Sequence, residues 1–332
     1  MKKNLMYLFT VLCSLSFFTA CSDDDEKTDD SWKAVSATYK AETLILNGTE
    51  GKAESVESVK VEAISADAAT VVLNNIVVGE PELKFDAKLA KDGKGESYTL
   101  TGENVTDDRI VTIQGFVKEG VLTLTTSLKI TSPVVGAWKM KFYEDPSIQN
   151  DIVADIVLNT EGLTGENAYY VPFIKSILGQ IIAKKVESVT ATFAEDGKLD
   201  ISFKTIDGKK DQLIIGIIKA LDPRYYVKTT DGKSQLYLAI GKTYIELLSE
   251  FVSAEQLATI KTLLADDGNY YSLPLHMKIE GDYAQFYLSK DLLSAVLPVV
   301  LPLVPDFAGF APLIQGILTE ATVFDFGLGF TK

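Results

Sequence analysis

Histidine occurs once, at His276, within Ser272-Leu273-Pro274-Leu275-His276-Met277-Lys278-Ile279-Glu280. Nucleophilic and zinc chemistry both need an imidazole with partners, either a serine and a carboxylate or further nitrogen and sulfur ligands. There is no second histidine, and the two cysteines, Cys13 and Cys21, both fall near the start. On an alternating strand Leu275, Met277 and Ile279 take one face, which leaves His276, Lys278 and Glu280 on the other. That is the pattern of a solvated surface histidine. The 46 Asp and Glu residues offer material for the two facing carboxylates of a glycoside hydrolase. Many of them, however, lie in turn sequences such as Asp231-Gly232 and Asp266-Asp267-Gly268, where the side chain solves backbone geometry. Spacings for a phosphate-binding glycine loop, an EF-hand loop or a metal cluster do not occur. The chain is therefore expected to be no enzyme and to use no cofactor or metal.

Aromatic and apolar groups offer binding chemistry instead. Three pairs, Tyr169-Tyr170, Tyr225-Tyr226 and Tyr270-Tyr271, carry flat faces and hydroxyls that suit sugar rings or protein surfaces. Neighbours on a strand point to opposite faces, so at most one of each pair can join a common surface. Packing in a core or an interface is the simpler expectation. Phe173, Ile177 and Ile181, with Leu293, Leu297, Phe307, Phe310 and Ile314, are candidates to line a lipid-sized cavity under apolar helices. The same helices would serve equally as lids packed on a sheet.

The elements that must position these residues change character along the chain. From Trp32 to Ser132, segments rich in β-branched and aromatic residues alternate with period two, as in Thr70 to Val78, Leu83 to Leu89, Ile110 to Phe116 and Val121 to Ile130. Asn47-Gly48, Asp92-Gly93-Lys94-Gly95 and Glu119-Gly120 supply hairpin turns between them. Pro133 cannot donate to a central ladder and marks a boundary. Beyond it helices join the strands. Val134 to Tyr143 reads as a strand, Ala168 to Lys184 as a helix, and Val186 to Phe193 with Lys198 to Thr205 as a hairpin. Further on, Tyr225 to Thr230 pairs with Gln235 to Ile240, and Leu273 to Glu280 with Tyr283 to Leu288. Thr322 to Thr331 is the last strand. The apolar stretch Lys290 to Leu318 contains Pro298, Pro302 and Pro305, each worth about 3 kcal/mol against a helix interior. It is expected to break into two buried helices and not to cross a membrane. The resulting fold class is α+β. An all-β sandwich or barrel over residues 32–133 is followed by a mixed antiparallel sheet or barrel over 134–332, covered by apolar helices.

Lys2 and Lys3 precede an apolar run from Leu5 to Phe18, the charged and hydrophobic parts of a secretory signal over residues 1–20. Thr19, Ala20 and Cys21 then resemble a bacterial lipobox, with Phe18 where leucine is usual. The resemblance implies a lipid chain on Cys21 and attachment to a membrane. Ser22, Asp23, Asp24, Asp25 and Glu26 are similar to the export tag of Bacteroidetes lipoproteins. This implies an acidic tether over residues 21–31 and display on the outer membrane, facing the exterior. The chain as a whole resembles the domain-of-unknown-function surface lipoproteins of that group.

Gly136-Ala137-Trp138 resembles the G-x-W of lipocalins and wider calycins, in which the tryptophan plugs one barrel end and meets a late arginine. Arg224 is the candidate partner here. Only Arg109 and Arg224 occur, and the formal charge is −14, so nucleic acid is excluded as a partner. The expectation for function is a non-catalytic, lipid-anchored surface protein. Its C-terminal region would bind an apolar small molecule or lipid, with glycan or host-protein binding through exposed aromatics as the alternative.

Overall fold

The computed structural model describes residues 29–332 except 53–54, 96, 210, 246–252, 301–308 and 310. Cys21, the tag residues 22–26, Phe307 and Phe310 lie outside the described residues. The fold is mostly β, with 53% strand and 23% helix, and its sheets curl into half-barrels.

The first sheet uses β1 (Ala37–Tyr39), β2 (Leu44–Leu46), β3 (Thr49–Glu50), β4 (Ser58–Ala63) and β5 (Ala68–Val77). It continues with β6 (Glu80–Lys91), β7 (Tyr98–Val105), β8 (Arg109–Lys118) and β9 (Val121–Ile130). Period-two alternation sends Val59, Val71, Leu73, Phe85, Leu100, Val111 and Leu124 into one core. The spatial order is β1-β4-β5-β6-β7-β8-β9-β2-β3, antiparallel apart from the parallel β2 and β9 pair. Only residues 40–43 separate β1 from β2, yet these strands sit towards opposite margins. Five Cα steps reach about 19 Å, whereas seven strand spacings laid flat need about 34 Å. The sheet must curl until its margins approach. Tyr39 lies at this closure, fully buried, its hydroxyl donating to the Val35 carbonyl at 2.7 Å.

The rest of the chain begins with β10 (Gly136–Met140), β11 (Phe142–Asp145), β12 (Asp151–Ala154) and β13 (Ile156–Glu161), of which β10 and β13 join the second sheet. Helix α1 (Gly165–Ala183), β14 (Val186–Phe193), β15 (Leu199–Thr205), α2 (Asp211–Ala220), β16 (Arg224–Thr230) and β17 (Lys233–Gly241) follow. The chain ends with α3 (Lys242–Ile245), α4 (Ala254–Leu263), β18 (Ala265–Asp267), β19 (Tyr270–Glu280), β20 (Tyr283–Leu288), α5 (Lys290–Val300), α6 (Ala311–Glu320) and β21 (Val323–Thr331). The main path is β15-β14-β10-β21-β20-β19-β17-β16, with β13 also on β21 and β18 on β19. Its two margins touch at one end. Lys198 bridges to Arg224, and the Tyr225 N–H donates to the Gly197 carbonyl at 2.8 Å. Trp138, Phe193, Tyr225, Leu236, Phe286 and Phe330 form the core inside this curl, joined by Ile174 and Leu178 from α1, Leu293 from α5, and Ile314, Ile317 and Leu318 from α6.

Two readings of the sequence need correcting. The strand expected over 134–143 is interrupted at Lys141, whose N–H bonds to Gly329 while its carbonyl accepts from Asp155. The chain then leaves the sheet as a separate β11–β12 ribbon. Residues 151–161, for which no element was expected, form β12 and β13, and β13 pairs along six residues of β21.

Two seams join the sheets. Asp108 accepts from the Thr229 N–H at 2.8 Å and from its hydroxyl at 2.9 Å. At the other seam Gly79, at φ +81°, lies against the ring of Tyr226, and Asn269 donates to the Asn75 carbonyl. Tyr226 is pinned there by its hydroxyl bond to the buried Asp267 and by stacking on Tyr237 at 4.7 Å and 5°. Burial first, and then Asp267, push its phenol far above the ordinary value.

Candidate functional site

The outward face of the second sheet can be assembled strand by strand from the pairing register. Gln235 on β17 faces His276 on β19, His276 faces Tyr287 on β20, and Tyr287 faces Gly327 on β21. One step along, Lys278 faces Gln285, which faces Gly329. A further step brings Glu280 beside Tyr283. Residues two apart on a strand share a face and stand about 7 Å apart. Tyr283, Gln285 and Tyr287 therefore form one row, opposite in sense to Ala284 and Phe286, which are buried in the core.

At one end of the row His276 and Tyr287 stack with ring centroids 5.4 Å apart and planes inclined by 19°. His276 is exposed, as its alternation with Leu275 and Met277 predicted. A cleft of about 400 Å³ adjoins the stack, lined by Gly232, Lys233, Ser234, His276, Lys278 and Tyr287, among others. Burial first, and then Asp325, raise the Tyr287 phenol above its ordinary value against an opposing effect of Lys278. It is thus a neutral hydroxyl at physiological pH.

At the other end a directed chain of hydrogen bonds runs from β20 to the junction between β12 and β13. Gln285 donates to the Tyr283 oxygen at 3.1 Å, and Tyr283 donates to Asp155 Oδ2 at 2.8 Å. Lys141 stands 3.7 Å from the same carboxylate oxygen and 4.7 Å above the Tyr283 ring. This closure depends on Gly329. A Cβ there would lie 2.4 Å from Asp155 Oδ2 and 2.8 Å from the Tyr283 oxygen. Tyr283 is raised by burial and by Asp155, with the Gln285 bond opposing, so it remains a donor. Flat rings at one end and fixed amide, hydroxyl and carboxylate groups at the other suit a polyhydroxylated ring compound.

The other residues singled out by sequence fall elsewhere. Trp138 is fully buried and donates its indole N–H to the Val134 carbonyl at 2.6 Å, with Phe286 edge-on at 6.4 Å. The cation over its ring is not Arg224 but Lys332, at 4.9 Å from the ring centroid. Arg224 instead bonds Asp222 at the point where the sheet margins meet. Tyr225 packs edge-to-face on Phe193 inside the curl, while Tyr226 lies on the opposite face. Tyr169 is exposed but meets Tyr170 at 77°, which is no flat platform. Phe173 is exposed, Ile177, Ile181 and Leu297 are half-buried, and Leu293 and Ile314 belong to the core. A cleft of about 440 Å³ lies between α5 and α6, lined by Lys290, Ser294, Leu297, Gln315, Leu318 and Thr319. Among the described residues no group of three or more His, Cys, Asp or Glu could hold a metal ion, and no helix is long and apolar enough to cross a membrane.

Lys141, Asp155, Tyr283, Gln285, Tyr287 and Lys233 were not singled out by sequence. The available signal was the alternation of Tyr283-Ala284-Gln285-Phe286-Tyr287 beside the alternate glycines of Phe326-Gly327-Leu328-Gly329-Phe330. No protein-family model, curated protein or solved structure matches the chain.

Proposed function

We propose that the chain is a lipid-anchored, non-catalytic surface protein that binds glycans on the outward face of its second sheet. The observation that carries the reading is the near-parallel His276 and Tyr287 stack beside an open cleft of ligand size. Aromatic faces bind sugar rings through their C–H surfaces, and the bonded row of Gln285, Tyr283 and Asp155 would meet hydroxyl groups. The same reading takes the architecture as an all-β part over 32–133 and a calycin-like part over 134–332, with α1, α5 and α6 as its covering helices and Trp138 as its plug.

Attachment through Cys21 and exposure on the outer membrane of a Bacteroidetes-type cell belong to the same proposal. Globomycin should arrest the precursor and labelled palmitate should enter the product. Absence of both effects would refute the anchor. For binding, the full mature chain applied to a glycan array should retain a subset of oligosaccharides, and Tyr287→Ala should lose them while keeping its circular dichroism. Retention of nothing, or equal retention by Tyr287→Ala, would refute the site.

A second reading, an apolar small molecule held between α5 and α6, is favoured by the 440 Å³ cleft with Leu297 and Leu318 in its wall. Its other lining residues, Lys290, Ser294, Gln315 and Thr319, are polar, which places it behind the glycan reading. Displacement of a fluorescent fatty acid would test it.

A further inference from the structure

We infer that the ligand of the His276 and Tyr287 cleft is an anionic sugar, a ring compound carrying carboxylate or sulfate. The inference rests on the glycan reading and narrows it. The chain has 46 acidic residues against 32 basic ones, yet the cleft is lined by two lysines, a histidine and no carboxylate. Lys233 and Lys278 both line the cleft, each two residues along its strand from the opposed pair Gln235 and His276. Lys233 has no carboxylate partner among the described residues. Lys278 lies 2.9 Å from Glu280, but both side chains are more than 60% exposed. An exposed pair of this kind is weak and gives way to a better-placed anion.

No carboxylate lines the cleft, although Glu280 reaches Lys278 and Asp108 reaches Ser234 through the Thr229 hydroxyl. Glu280 faces Tyr283 one step along the row, and Asp231 belongs to the turn before Lys233. Asp325 acts on Tyr287 from β21. The overall negative charge repels anions at a distance, but at about 0.1 M salt that repulsion is screened beyond about 10 Å. Contact charges inside the cleft therefore decide the outcome. An acidic ring would stack on the open end of the His276 and Tyr287 pair and set its charge between Lys233 and Lys278.

The test compares tetragalacturonate, its fully methyl-esterified form and a sulfated tetrasaccharide by calorimetry on the full mature chain. The acidic tetrasaccharide should bind about tenfold more tightly than the ester at low salt, with the gap closing by 0.5 M NaCl. Lys233→Gln should remove most of that gap, and Lys233→Arg should restore it. Preference for the sulfated probe over galacturonate would assign the charge to sulfate and keep the inference. Equal or tighter binding of the ester overturns the inference while the glycan reading stands. If no probe binds and a wider glycan array is also empty, the glycan reading fails and this inference with it.

Discussion

Gly79→Ala tests whether the seam between the two sheets is a fitted contact or a loose touch. The substitution adds one methyl group at φ +81°, and its Cβ would stand 2.6 Å from Cγ and Cδ2 of Tyr226. The ring cannot retreat, because Tyr237 stacks behind it and Asp267 holds its hydroxyl. Left-handed backbone costs a residue with a Cβ about 1–2 kcal/mol, and overpacking against a fixed ring adds about 1–3 kcal/mol. The expected loss is about 2–5 kcal/mol. For a body of this length the unfolding entropy is about 0.6 kcal/mol per kelvin, so the melting point should fall by about 3–8 °C. Gly120→Ala is the matched control, since φ is +78° and nothing lies within 4 Å of its added Cβ. It should lose only the backbone part. Urea titrations of the two variants, repeated in a Tyr226→Ala background, complete a double-mutant cycle. The extra cost of Gly79→Ala should vanish once the ring is gone. Equal losses for the two glycine variants, or a Gly79→Ala penalty unchanged without Tyr226, would refute the reasoning.

Alkaline pH should unfold the chain through its buried tyrosines. Burial pushes Tyr39 up to about 12 and raises Tyr225 and Tyr226 as well. The folded state then holds more protons than the unfolded one above pH 10, so this stability is complete below pH 10 and is lost as pH rises, by about 1.4 kcal/mol per unit for each group. Urea midpoints measured from pH 9 to 11.5 should fall, and less steeply in Tyr39→Phe. Trp138→Phe removes the bond to the buried Val134 carbonyl and leaves a void beside Phe286. A loss of about 2–4 kcal/mol in urea unfolding is expected, whereas Lys332→Ala should cost about 0.5–1 kcal/mol. Asp155→Asn should cost about 1–3 kcal/mol by removing the charge from the Tyr283 bond and leaving Lys141 without a counter-charge, with stacking of ligand on Tyr287 retained in calorimetry.

Local patterns carried much of the β structure. The strands expected at 70–78, 83–89 and 110–116 appear as Ala68–Val77, Glu80–Lys91 and Arg109–Lys118, because inward apolar residues alternate along most of each, with a bulge between Asn74 and Val77. Asn47-Gly48, Glu119-Gly120 and Asp231-Gly232 all take positive φ at both residues, as hairpin chemistry requires. What escaped was either short or non-local. The β11–β12 ribbon has four-residue strands around the 3₁₀ turn Pro146–Ile148, too brief to show a period. The row from Tyr287 to Asp155 exists only because β21 pairs with both β20 and β13, and no spacing in the sequence announces that register. Lys332 in place of Arg224 above Trp138 has the same origin, since a late strand returned beside β10.

The margins of the first sheet are only three and two residues long, β1 and β3. A neighbouring copy seeking to add a strand to β1 or β3 would find only two or three residues of backbone to follow. Strand addition at these two margins is therefore disfavoured, and any contact made there is left to side chains.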